Sequence, residues 1–317
     1  MKISNLEADV GSKQLRRTKG DVITLSILLL TLWSMVFFVK GTAGVISWWL
    51  IQLFSILATV GLLFSLGQGL WIRYGKKQKI GRWFVIKLIL LAGLAFPISW
   101  FFGVAQFPYP VNLNELTPAV TIRWPFSQPA LVGWGGDTLA TNYHVIAPNE
   151  RFAYDLLVLP VSVESHSLED FGSFGAEVVA PASGTIVEAI DSEQDHGINE
   201  ESDGSMVGNH IYIKLDETGT FLVLAHLKQD SIRVKQGDHV QEGTIVAEVG
   251  NSGDSSEPHL HIHHQQQNPA TTNMFMSEGL PLYFRDIDGP PMPEGGMQEQ
   301  DGKSIPNGKV ITPINKS

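Results

Sequence analysis

The sequence contains no cysteine among its 317 residues. This absence excludes disulfide bonds and thiolate metal ligands, so any metal site must use histidine, aspartate or glutamate. Acidic residues are scarce in residues 1–105, which have 12 Lys and Arg against 3 Asp and Glu, a net charge of +9. Residues 106–317 have 10 against 29, a net charge of −19. Two parts of opposite charge predict two different environments.

Charge is absent from two long runs of the first part, 22–39 and 41–72, and Lys87 is the only charged residue of a third run, 83–105. About 20 apolar residues suffice to cross a hydrocarbon core about 30 Å thick. A cleaved signal peptide is an alternative for the first run, although 18 uncharged residues are long for such a peptide. We therefore predict three transmembrane helices, near 22–40, 45–70 and 84–105.

Basic residues flank these runs unevenly. Lys13, Arg16, Arg17 and Lys19 lie shortly before the first run and five basic residues lie in the short loop between the second and third, whereas only Lys40 separates the first from the second. The positive-inside rule then places the N-terminus, residues 1–21, and the 72–83 loop in the cytoplasm. With three spans, everything after about residue 106 lies outside the membrane.

The chain from about residue 130 onward is typical of β structure. Runs such as GTIVEAI, HIYIKL and TFLVLAHL are rich in β-branched residues and are separated by Gly, Asp and Asn. We predict a mostly antiparallel β domain, a twisted sheet or sandwich, over 130–285. A Pro-rich extracytoplasmic linker over 106–129 would precede it, and a flexible Gly/Pro-rich tail over 286–317 would follow. Two segments, VVAPASGTIVEA and VKQGDHVQEGTIVAEVG, resemble the hairpins of biotinyl/lipoyl carrier domains, but no lysine stands at the expected hairpin tip.

Four histidines crowd the stretch EPHLHIHHQ, residues 257–265. On a strand, side chains alternate between faces, so His259, His261 and His263 share one face, and Leu260, Ile262 and His264 share the other. His259 and His261, about 7 Å apart along the strand, could converge on one ion and its bound water. We expect His263 and His264 to be ordinary structural histidines.

Three further residues suggest a metal site. His226 ends an apolar run, VLAHL, and His144 lies in TNYHVIAP. Asp155 is the one acid of FAYDLLVLP, and a buried lone carboxylate costs several kcal/mol unless it is paired or bound to metal. A satisfied core histidine at 226 and a carboxylate bonded to backbone amides at 155 are the alternatives. Two neutral imidazoles, a carboxylate and a water would form a four-coordinate catalytic zinc site.

In this order, His144, Asp155, the AHL of His226 and the PHLHIH of His259 and His261 resemble the lysostaphin/LytM-type zinc metallopeptidases. The glycine-punctuated segments APASGTI, GNHIYIKL and VKQGDHVQEGTIVAEVGNSG fit the same pattern, and the resemblance covers about residues 130–266. It implies the lysostaphin-type fold and an enzyme that uses one zinc ion to hydrolyse peptide bonds, typically in peptidoglycan.

Carried over residue by residue, the resemblance implies zinc ligands at His144, Asp155 and His261. His226 and His259 would be catalytic without binding zinc, one activating water and the other supporting the developing oxyanion. The family usually has three residues between its first histidine and the aspartate, whereas ten intervene here. This departure leaves Glu150 and His166 open as replacements for His144.

The resemblance and the charge pattern together imply a multi-pass protein of the bacterial cytoplasmic membrane with its catalytic domain outside. Its expected partners are peptidoglycan peptides and the lipid bilayer, with an unidentified membrane or envelope regulator as a further expectation. The acidic outer part disfavours binding to nucleic acid. The alternative function is a non-catalytic adaptor that uses the same fold to bind the wall or a partner protein.

Overall fold

The computed structural model describes residues 2–105, 108–110, 113, 116–161, 167–200, 202, 204–300 and 303–314, and it places the side chains of all of these except 2–12, 300, 303 and 304. The chain forms two compact units, Met1–Phe107 and Pro108–Ser317. His166, one of the replacements considered for His144, lies outside the described residues.

The first unit consists of three helices, α1 (Lys2–Ser34), α2 (Gly41–Leu70) and α3 (Arg82–Ala95). Pro97, which has no backbone N–H to donate, lies in the 3-10 turn that follows α3. Each predicted span overlaps one of the helical segments that, among the described residues, are long and apolar enough to cross a membrane: Lys13–Val39, Gly41–Gly75 and Arg82–Phe102. Within the predicted cytoplasmic N-terminus, residues 2–21 form the first part of α1.

Lys87, the only charged residue of the third apolar run, has an acidic partner. Its Nζ lies 2.8 Å from Oδ2 of Asp21, so an ion pair joins α3 to α1. The two side chains are 21% and 35% exposed. A pair of this kind is the usual way in which a charge is tolerated among apolar helices.

The second unit is built mainly of β strands. They are β1 (Val120–Arg123), β2 (Ala130–Trp134), β3 (Tyr154–Val158), β4 (Glu177–Val179), β5 (Gly184–Ile190), β6 (Asn209–Leu215), β7 (Phe221–Leu227), β8 (His239–Val240), β9 (Ile245–Glu248), β10 (Leu260–Gln265), β11 (Gly279–Leu280), β12 (Leu282–Arg285), β13 (Met297–Gln300), β14 (Lys303–Pro306) and β15 (Val310–Ile311).

Nine of these strands form one sheet with the strand order β15-β2-β3-β10-β7-β6-β5-β8, in which β11 adds to β10. The strand pairs of this sheet are antiparallel, as predicted.

The hydrophobic core lies on one face of this sheet. Leu260 and Ile262 of β10, Leu156 of β3 and Leu224 of β7 are fully buried in one cluster. Each such side chain contributes about 1.5–3 kcal/mol by leaving water. The prediction that Leu260 and Ile262 face the core is therefore confirmed, and the alternate residues of β10 occupy the opposite face.

The predicted linker, 106–129, is wrong in its second half. β1 pairs in parallel with β12, and Trp124 and Phe126 are buried in the core. Apolar residues at 120, 122, 124 and 126 alternate with other residues, which is the period of a half-buried strand. This strand was not predicted, because the prolines of the region indicated an extended linker.

The predicted flexible tail, 286–317, is also wrong over its described part. β13 pairs antiparallel with β14, β15 pairs with β2, and Ile311 is only 1% exposed. A Cβ built on Gly308 would clash with the carbonyl oxygen of Val132. Glycine in this tail thus permits close packing against β2, whereas the composition had suggested disorder.

Candidate metal centre

The pairing of β10 with β3 and β7 brings the site residues together. On β10, His261 pairs with Asp155 of β3 on one side and with Ala225 of β7 on the other. Directly opposed residues of antiparallel strands have Cβ atoms about 4.5–5.5 Å apart. His226 follows Ala225, and His259 precedes the first residue of β10. Four of the five predicted site residues therefore meet because β3, β10 and β7 are neighbours.

His144 reaches the same point from a 3-10 turn, Tyr143–Ile146, that begins at Asn142. The Asn142 amide nitrogen donates to the carbonyl oxygens of Gly136 and Ala153, both at 3.0 Å, and thereby fixes the side chain. Its Oδ1 accepts from the His144 backbone N–H at 3.2 Å and from His144 Nδ1 at 2.9 Å. Asn142 is thus bonded to the chain on both sides of His144. These bonds hold the loop between His144 and Asp155 in a conformation that brings the two residues close together.

Asp155 lies at the centre of the cluster. Its carboxylate oxygens lie 3.6 Å from His144 Nε2, 3.0 Å from His261 Nδ1 and 3.6 Å from His259 Nε2. Burial alone would raise the pKa of this carboxyl group, but the three imidazoles outweigh burial and hold it well below its usual range. The carboxylate is therefore negatively charged although the side chain is only 8% exposed.

Each of three imidazoles has one nitrogen committed to a fixed acceptor. His144 Nδ1 donates to Asn142 Oδ1, His226 Nδ1 to the carbonyl oxygen of Ser252 at 2.9 Å, and His259 Nδ1 to that of Glu257 at 2.8 Å. Because a carbonyl oxygen only accepts, these contacts fix the tautomers. The Nε2 atoms of all three rings keep a lone pair that is free to accept a proton or bind a cation.

Burial keeps two of these rings neutral. It lowers the pKa of His144 to about 3 and lowers the pKa of His226 well below its ordinary value. His261 differs, since burial would lower its pKa but the hydrogen bond and the charge of Asp155 raise it. Of these three rings, His261 therefore has the strongest tendency to carry a proton beside the carboxylate.

His226 is held in an uncommon backbone conformation. Its φ is +59°, in the left-handed region that few non-glycine residues adopt. Its backbone N–H donates to the carbonyl oxygen of Val207 at 3.1 Å, and its ring centre lies 4.8 Å from that of His259. Strain of this kind is typical of functional sites.

His263 and His264, which we expect to be ordinary residues, lie on opposite faces of β10. His264 faces away from the cluster and bonds Thr220 Oγ1 at 2.6 Å and the carbonyl oxygen of Pro281 at 3.2 Å. His263, which shares the site face of β10, contacts His261, with its Nδ1 2.9 Å from His261 Nε2. The strand alternation already indicated this placement, but the sequence did not show that the ring would be buried.

The residues present fit a zinc ion. The ligand atoms of His144, Asp155 and His261 lie within 4.8 Å of one another, and all three residues are buried. Two imidazoles and one carboxylate are a common three-residue donor set of catalytic zinc sites, which leave one position open for water. Glu150, another residue considered at this position, lies near His261 and His263 instead.

Part of the chain matches a known protein family. Residues 164–273 match the model described as Peptidase family M23. The resemblance to the lysostaphin-type peptidases is thereby confirmed over this segment, which contains His226, His259 and His261. His144 and Asp155 precede it, so the model match does not include them. A search of curated protein sequences found no match.

Several solved structures are similar to part of the chain. The catalytic domain of the antimicrobial peptidase lysostaphin from Staphylococcus simulans is 19% identical, with 53% of this chain and 90% of that chain covered and a TM-score of 0.28. A putative peptidase M23 from Pseudomonas aeruginosa is 18% identical over 54% and 53% of the two chains, with a TM-score of 0.29. A chain of the SpoIIIAH and SpoIIQ complex is 17% identical over 47% and 98%, with a TM-score of 0.32. Likeness at these values says nothing about what this chain does.

Proposed function

We propose that this chain, whose residues 164–273 match peptidase family M23, is a membrane-anchored zinc endopeptidase that hydrolyses peptide bonds in bacterial peptidoglycan. One observation carries the proposal: the buried carboxylate of Asp155 is surrounded by imidazoles, and three rings of the cluster have their tautomers fixed by acceptors outside it. A divalent cation would compensate a negative charge buried here.

His144, Asp155 and His261 would hold the zinc ion through Nε2, the carboxylate and Nδ1. When bound there, zinc polarises the scissile carbonyl and lowers the pKa of a water molecule. The remaining proton transfers fall to the chain itself. His226 and His259 present Nε2 lone pairs beside the ligands, where they can accept a proton from water and, once protonated, donate hydrogen bonds to the developing oxyanion.

The proposed location agrees with the proposed substrate. Three apolar helical segments precede the site in the chain, and the basic residues favour a cytoplasmic N-terminus and an external C-terminal unit. Peptidoglycan lies on that side of the membrane. Anchoring would keep the peptidase next to the wall.

The test is release of free amino groups from purified peptidoglycan by the full-length protein in detergent. We expect His226→Ala and His259→Ala each to lower the rate by about 10²–10⁴-fold, the usual contribution of a general acid or base, while zinc stays bound. His239→Ala is the matched control, because His239 is an exposed histidine that bonds Asp216.

Equal rates for the wild type and both variants would contradict the assigned roles of His226 and His259. A zinc-loaded wild-type protein that releases no amino groups would contradict peptidoglycan hydrolysis. The non-catalytic adaptor would then be the better account of the fold.

A further inference from the structure

A row of polar side chains runs along the site face of β10 beyond the proposed zinc ligand. His261, His263 and Gln265 alternate with residues of the opposite face, and the two beyond His261 are buried, with exposures of 3% and 2%. His261 Nε2 lies 2.9 Å from His263 Nδ1, and His263 Nε2 lies 3.0 Å from Gln265 Oε1. Gln265 Nε2 donates to the carbonyl oxygen of Gln267 at 2.7 Å.

The direction of every hydrogen bond in this row is determined. The carbonyl oxygen of Gln267 only accepts, so the amide nitrogen of Gln265 faces it and Oε1 faces His263. That oxygen also only accepts, so His263 carries its proton on Nε2 and has a lone pair on Nδ1. The lone pair accepts in turn from an N–H at His261 Nε2.

We infer that His263 and Gln265 are positioning residues that keep the proton of His261 on Nε2 and leave Nδ1 available to the metal. This inference deepens the proposed zinc site and rests on it. A zinc-bound imidazole has one remaining proton, and the hydrogen bond made by its second nitrogen decides where that proton lies.

Such positioning is needed because the other neutral tautomer of His261, with its proton on Nδ1, can donate a hydrogen bond to Asp155. His261 Nδ1 lies 3.0 Å from Asp155 Oδ1. A neutral ring without an acceptor at Nε2 would keep its proton on Nδ1, donate it to Asp155 and so block both ligands. The buried Nδ1 of His263 accepts a hydrogen bond from His261 Nε2 and so favours the tautomer that leaves His261 Nδ1 to the metal.

A second metal ion, bound by Glu150, His261 and His263, is the alternative explanation of these contacts. A ligand oxygen of Glu150 lies within 4.8 Å of ligand nitrogens of His261 and His263, which is close enough for a second metal ion. That ion would require His261 to give up both of its protons. The 2.9 Å contact between the two rings is already a good hydrogen bond, so we favour positioning.

The experiment measures zinc affinity of the full-length protein in detergent by competition with a chromophoric chelator. We expect His263→Leu to raise the zinc Kd by about 10–100-fold, the usual cost of losing a partner of a metal ligand. His263→Gln, whose amide oxygen can accept from His261, should stay within about threefold of the wild type. Gln265→Leu should weaken binding in the same direction.

Two comparisons separate positioning from mere packing. His264→Leu removes a buried histidine of the same strand that faces away from the site, and it should leave the zinc Kd unchanged. The double variant His263→Leu/Gln265→Leu should bind zinc no more weakly than His263→Leu alone, because both residues act through one proton. Two independent packing defects would instead add.

The inference is overturned if His263→Leu binds zinc like the wild type, or if His263→Gln weakens binding as much as His263→Leu. If His263→Leu does not fold, an unchanged Kd in a folded Gln265→Leu overturns it. Two zinc ions per wild-type chain, of which His263→Leu loses one, would favour the second metal site. A wild type that binds no zinc contradicts the zinc site itself, which is a different failure.

Discussion

At the residue scale, the chemistry of the site depends on the charge of Asp155. Asp155→Asn keeps the shape of the side chain but removes the charge and one metal-binding oxygen. We expect the zinc Kd to rise by more than about 100-fold, beyond the loss caused by removing a partner of a ligand. The control is Asp254→Asn, which removes an exposed acid of the same unit. Chelator competition on both variants checks this, and unchanged affinity in Asp155→Asn would refute the assigned role.

Proton release gives a second prediction for single residues. Of the three proposed ligands, only His261 has a raised pKa, whereas the pKa of His144 is lowered to about 3 and that of Asp155 is lowered as well. Binding of zinc should therefore displace close to one proton, from His261, at a pH below its raised pKa, and zinc affinity should increase as the pH rises. Titration calorimetry in buffers of different ionisation enthalpy measures this number, and zero or two protons would contradict the assignment.

The same shift has a consequence for stability in the absence of metal. The folded pKa of His261 is raised above its unfolded value of about 6.5. Its contribution to the free energy of unfolding is therefore fully present below the unfolded pKa and is lost as the pH rises through the folded pKa. In the proposed site, zinc and the proton would compete for Nδ1 of His261, so zinc binding would replace this contribution at higher pH.

At the scale of elements, the antiparallel strands and the facing of β10 could be predicted because period-two alternation determines which side chains share a face. The pairing of His261 with Asp155 could not, since the order β3-β10-β7 depends on long-range packing that alternation does not encode. The position of His144 depends on Asn142, whose two bonds to carbonyl oxygens become visible only once the loop is folded. The linker and the tail were misjudged because proline and glycine were taken as signs of irregular structure.

The ordered part of the tail is tested by Ile311. Its side chain is 1% exposed and packs in the core, whereas neighbouring Val310 is 46% exposed on the same short strand. We expect Ile311→Ala to lower the free energy of unfolding by about 2–4 kcal/mol, as for other buried large-to-small changes. Val310→Ala should change it by less than about 0.5 kcal/mol, as for other surface changes. Equal effects in denaturant titrations would mean that β15 does not belong to the core.

At the scale of the whole molecule, the proposed topology places the two ends of the chain on different sides of a membrane. The absence of native cysteine makes the test simple, because any engineered thiol is the only one in the chain. Glu217 is an exposed residue of the C-terminal unit, and Lys77 is an exposed residue of the basic loop after α2.

In intact spheroplasts, a membrane-impermeant maleimide should label Glu217→Cys and should not label Lys77→Cys until the membrane is permeabilised. Labelling of Lys77→Cys alone would reverse the topology and separate the proposed peptidase from the wall. Labelling of both before permeabilisation would show that the helices do not divide the chain as proposed.

We propose above all that one zinc ion at His144, Asp155 and His261 makes this chain a peptidase. The most direct measurement follows zinc content and amino-group release from peptidoglycan in the same sample of full-length protein, before chelation, after chelation and after zinc is restored. We predict one zinc per chain, activity that disappears with the metal, and recovery of both when zinc returns. Release that continues after the metal is removed, or a zinc-loaded protein that never releases amino groups, would contradict the claim.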